Sequence, residues 1–119
     1  MENKKVLKLS DPYELDEVMD TMLELCTDNG LYIGLIVDDG NGYEPYADVT
    51  VNLNFGDEKL PINQGYLDTN NMPELEKFIT ENKLGKFTGL VKQSGFCTYP
   101  LYEFDMDRVR EFEFIYEED

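Results

Sequence analysis

Leu15, Val18, Met19, Met22, Leu23 and Cys26 recur at three- and four-residue spacing, which lines up one apolar stripe if the segment is helical. Asp11 stands where an N-cap belongs, Pro12 occupies the first helical position, and Asn29-Gly30 closes the run. The spacing predicts a helix over 12–27, with Cys26 on its buried face. Leu31 to Val37 is a continuous apolar run and reads as a central strand. Beyond the turn residues Asp38-Asp39-Gly40-Asn41-Gly42, apolar Ala47, Val49, Val51 and Leu53 alternate with polar Asp48, Thr50, Asn52 and Asn54. That is the period of a strand with one face wet, and the two strands make a hairpin.

Lys5 to Leu9 supplies a short first strand, and another lies near Gln64 to Leu67. Asn71 is the expected N-cap of a second helix, which has Pro73 just inside it, Leu75, Phe78 and Ile79 on its apolar face, and Gly85 as its stop. Phe87 to Val91 and Phe96 to Phe104 flank Lys92-Gln93-Ser94-Gly95 as a second hairpin. Pro100 places its second arm at an edge or a bulge. A helical turn at Met106 to Arg110 and a final strand complete the chain. The expected fold is α+β: one antiparallel sheet of about five strands built from hairpins, with two main helices packed on it, in a single domain over 1–119.

Charge changes this picture more than length does. The 119 residues carry 26 acids against 10 bases, a net of −16. A hydrophobic share of 41% and eight Tyr with seven Phe exclude a disordered acidic tail. The field opposes direct binding to nucleic acid or anionic membranes and favours a basic protein partner. No apolar run approaches the ~18 residues of a membrane helix, so a cytoplasmic protein with reduced Cys26 and Cys97 is expected. Residues 11–30 contain seven acids and no base. On the expected helix Asp16, Glu17, Asp20 and Glu24 form an acidic face, with Asp28 just past its end. Such faces ordinarily mix both signs, so this one is a candidate surface for a basic partner.

Candidate chemistry is sparse. The chain has no His, which removes the commonest general base and metal ligand. It has no glycine-rich phosphate loop. The Asp38-to-Gly42 run lacks the spacing of a calcium loop. Cys97 is the one chemical-looking nucleophile, and it reads as a small apolar side chain in a sheet. No catalytic, cofactor or metal residue is assigned. Tyr99 and Tyr102 form a candidate aromatic patch on the second hairpin.

Tyr66-Leu67-Asp68-Thr69-Asn70-Asn71-Met72-Pro73, Glu81-Asn82-Lys83-Leu84-Gly85, Thr88-Gly89 and the run from Ser94 to Phe104 resemble a family of small acidic proteins. That family is a domain of unknown function encoded on conjugative transposons and mobile elements of gut bacteria. The resemblance covers roughly residues 30–105 and carries no site residues with it. It implies a bacterial accessory protein of a mobile element. With the charge, the sharpest expectation is a non-enzymatic protein that binds a host DNA-binding or defence protein by imitating DNA. The other expectations are a small enzyme using carboxylates or Cys97, and a structural subunit of a conjugation apparatus.

Overall fold

The described part of the segment expected to be the first helix, residues 18–26, is a strand. In the computed structural model, which describes residues 6–10, 18–27, 30–38, 40, 42–53 and 60–115, β2 runs from Val18 to Cys26. A spacing of four residues returns to the same face in a helix and in a strand alike. Val18, Met22 and Cys26 therefore could not separate the two periods. The deciding residue is Thr21, which lies off the helical stripe but shares a strand face with Met19 and Leu23. Thr21 is 0% exposed, and Cys26, expected inside, is on the surface. Asp11 and Pro12 lie outside the described residues.

β2 is flanked by β1 (Leu7–Ser10) and β3 (Tyr32–Asp38), and β3 by β4 (Tyr43–Asp48). The first sheet is antiparallel in the order β1-β2-β3-β4. Its inward face presents Leu7, Leu9, Leu23, Ile33, Leu35 and Val37. A register shift opposite Leu35 and Ile36 accommodates Pro45, which sits on this edge strand where a missing N–H costs no ladder bond.

The alternation from Ala47 to Leu53 does not make one strand. At Val49 the chain changes sheets. The Val49 N–H donates to the Ile33 carbonyl (2.8 Å), while the Val49 carbonyl accepts from the Asp68 N–H (2.9 Å) in the other layer. Thr50, expected on the wet face, is buried because its Oγ1 accepts from the Ile33 N–H at 3.0 Å and so closes the seam. β5 (Thr50–Val51), β6 (Gln64–Leu67), β7 (Gly85–Ser94) and β8 (Cys97–Phe104) form a second antiparallel sheet in the order β5-β6-β8-β7. The described residues thus hold eight strands in two sheets and two short helices, in place of one five-stranded sheet.

α1 (Leu75–Glu81) places Leu75, Phe78 and Ile79 in the core. Asn71 is not its cap: the Asn71 Nδ2 donates to Asp68 Oδ2 (2.8 Å), and Glu74 at the N-cap position makes no capping bond. The helix ends before Gly85, at Lys83, whose φ of 58° lies in the left-handed region. Lys83 N–H donates to Thr80 O (3.1 Å) and Leu84 N–H to Ile79 O (2.9 Å), the paired bonds of a Schellman ending. α2 (Met106–Glu111) begins at Asp105, whose side chain accepts from the Arg108 N–H at 3.2 Å. Arg108 Nε donates to the Asn82 carbonyl (3.2 Å), tying the two helices together. Past α2, Phe112 O and Phe114 N bond Leu23 of β2 (2.8 and 2.7 Å), so the expected final strand is present as a parallel bridge at Glu113. It uses the stretch of β2 edge that β1, paired only with residues 18–21, leaves open.

Candidate functional site

The register of the first sheet fixes what its outward face carries. Side chains alternate along a strand, so the face away from the core takes the even residues of β2 and β3. Lys8, Asp20, Asp38 and Tyr43 are successive cross-strand partners and form one row over four strands. The next row is apolar, with Met22 and Ile36 buried beside Pro45. Glu24 and Asp48 then flank Gly34. The two acidic rows are four residues apart along the strands, or about 13 Å.

Within this face Lys8 Nζ pairs with Asp20. Asp38 Oδ1 accepts from the Gly40 N–H (2.9 Å) and the Gly42 N–H (3.3 Å), which shapes the β3–β4 turn. Tyr32 Oη donates to Asp48 Oδ1 (2.7 Å) by reaching across Gly34, where a Cβ would stand 2.5 Å from that hydroxyl. Only glycine leaves the phenol this path. Burial raises the Tyr43 phenol above the usual tyrosine value, the charges of Asp20 and Asp38 raise it further, and Lys8 opposes them. The Tyr43 ring also meets Phe114, with centroids 5.3 Å apart.

Of the residues expected to form an acidic helix face, the structure brings Asp20 and Glu24 to this sheet face; Asp16, Glu17 and Asp28 lie outside the described residues. Asp38 and Asp48, read as turn and wet-face residues, join them through register. That relation is between strands, and no local spacing signals it.

The expected aromatic patch divides. Tyr102 is buried in the core, and its hydroxyl donates to Glu76 Oε1 at 2.8 Å. Burial first, then that hydrogen bond and the Glu76 charge, hold its phenol well above the usual tyrosine value. Tyr99 faces the opposite side of β8, half-buried, with its phenol raised by burial first and then by its hydrogen bond with Cys97. Cys97 is half-buried at the turn end of β8, paired with Ser94. Among the described residues no group of three or more acidic or thiol side chains is placed to hold a metal ion. None of their helices is long and apolar enough to cross a membrane. A cleft of about 470 Å3 opens at the far end of β2, lined by Glu24, Leu25 and Cys26 on one side and Glu113, Phe114 and Ile115 on the other.

The sequence profile of the family described as a domain of unknown function (DUF4313) matches residues 20–116. The chain belongs to this family. The match runs from within β2 to just beyond the Phe112–Phe114 bridge, so the second sheet, both helices, β3, β4, most of β2 and all four outward carboxylates lie within the DUF4313 unit, while β1 precedes it. No curated protein and no solved structure matches the chain.

Proposed function

We propose that this DUF4313 protein is a non-catalytic binding protein whose acidic sheet face docks a basic protein. The observation that carries the reading is the pair of acidic rows on this side of the first sheet: Asp20 and Asp38, with the single base Lys8 among the described residues, on one side of the buried Met22–Ile36 row, and Glu24 and Asp48 on the other. A sheet holds such charges at fixed intervals with little conformational freedom left to lose, which favours orientation of a basic partner and fast encounter. The net charge of −16 acts in the same direction. The finer form of the proposal is a DNA mimic that occupies a DNA-binding or defence protein of the host. Its added support is the resemblance to small acidic proteins of conjugative elements.

Amide replacements test it, because Asn and Gln each keep one acceptor oxygen while removing the charge. Tagged wild type and the Asp20→Asn, Glu24→Gln, Asp38→Asn, Asp48→Asn variant are used as parallel baits in bacterial lysate. A basic protein held by the first, released by salt and absent from the second supports the reading. Identical retention on both baits refutes it.

A further inference from the structure

Residues 82–102 contain three of the ten basic residues, Lys83, Lys86 and Lys92, and none of the 26 acids. The segment comprises the residues that close α1, β7 and most of β8; Lys86 pairs with Glu103 at the sheet end (3.8 Å), and Lys92 is the base of the outer half, which carries no acid. Its outer half also stands apart from the sheet. β6 pairs with β8 only from Leu101 to Glu103, and beyond Leu101 the strands β7 and β8 pair with each other alone as far as Ser94 and Cys97. Two-stranded ribbons are marginal in water and need a packed face. This one leaves Leu90 62% and Val91 56% exposed.

Gly95, with φ of 64°, takes the first central position of the two-residue turn, where a type II′ hairpin wants glycine. The second central position then falls to Phe96, which is fully exposed at the tip. Turn geometry does not call for an aromatic there, and an exposed Phe at a protruding tip is the form of an interface anchor.

The cleft at the end of β2 has the complementary chemistry. Leu25, Phe114 and Ile115 give it apolar surface, and Glu24 and Glu113 supply carboxylates. At about 470 Å3 it has room for a phenyl ring. We propose that the β7–β8 ribbon docks by its Phe96 tip into this cleft of a second copy of the chain, with Lys92 of the ribbon toward the acidic body. The contact is head-to-tail, so it closes as a reciprocal dimer or extends as a chain. Pairing of two β7 edges is disfavoured by Lys86 and by the bulge between Phe87 and Val91, both of them devices that blunt edge strands. This inference shares Glu24 with the acidic-face reading but does not depend on it, since the docked group is the Phe96 ring.

Sedimentation over a micromolar-to-millimolar concentration series tests it with Phe96→Ser and Ile115→Arg. Both positions are exposed, Ile115 by 66%, so the fold is retained and circular dichroism verifies it. Wild type is expected to self-associate, and each variant to raise the dissociation constant at least tenfold. An equimolar mixture is expected to recover a heterodimer, because Ile115→Arg still donates a tip and Phe96→Ser still offers a cleft. A wild type that stays monomeric throughout overturns the proposal, as does association unchanged by Phe96→Ser. Failure of the mixture to recover association that both variants had lost overturns it too, because two copies must then meet by some other surface.

Discussion

Thr21 and Cys26 separate the strand from the helix by their response to the same substitution. Thr21 is 0% exposed and faces the core between Leu7 and Val37, with its hydroxyl donating to the Met19 carbonyl at 3.2 Å. Thr21→Asp puts a carboxylate among apolar groups and beside a carbonyl that cannot donate to it. An uncompensated buried charge costs about 3–5 kcal/mol, a large share of the ~5–15 kcal/mol that holds a domain together. At a urea m-value of about 1.5 kcal/mol/M this lowers the midpoint by about 2–3 M. Cys26 is exposed at the end of β2, so Cys26→Asp is expected to stay within about 0.5 kcal/mol of wild type. A helix over this segment reverses the order, because its stripe buries position 26 and leaves 21 in solvent. Urea unfolding followed by far-UV circular dichroism measures both. Loss of under about 1 kcal/mol for Thr21→Asp together with more than about 2 kcal/mol for Cys26→Asp refutes the strand.

Two further outcomes follow from single positions. Lys83→Gly relieves a side chain held at φ 58° at the end of α1; the relief outweighs the extra freedom of unfolded glycine, for a gain of about 0.5–1 kcal/mol in thermal or chemical unfolding. Tyr102 keeps its proton in the folded state above the pH at which the unfolded chain releases it. The folded state therefore binds more protons, and stability present below about pH 10 is lost as pH rises above it. Tyr102→Phe is expected to lose the bond to Glu76, costing about 1 kcal/mol at neutral pH. It is also expected to flatten the alkaline fall in stability, as urea titrations at a series of pH values would show.

Where one period dominated locally, the sequence was readable. The expected strand at 31–37 is β3, the strand near Gln64 to Leu67 is β6, the second hairpin is β7–β8, and the turn at Met106 to Arg110 is α2. Even the effect of Pro100 was legible: it lies beyond the last β6 pairing and opposite a bulged stretch of β7. β2 is hidden in the sequence because four-residue spacing satisfies both periods. The division into two sheets was hidden for another reason. Val49 continues the alternation of its neighbours while its N–H and carbonyl bond to different sheets. For the candidate site, Asp20 and Glu24 were identified on the wrong kind of element. Asp38 and Asp48 come into the site through pairing between strands, and Tyr102 leaves the expected patch because Glu76 and the core take it up.

The claim that matters most is that the carboxylates on the outward face of the first sheet bind a basic, DNA-recognising protein. The direct measurement is competitive elution: tagged protein is loaded with bacterial lysate, washed, and challenged with duplex DNA, beside the four-amide variant treated the same way. The account predicts that duplex DNA releases a DNA-binding protein from the wild-type bait and that the variant bait holds none of it. Proteins that resist displacement by DNA, or that bind both baits equally, would contradict it.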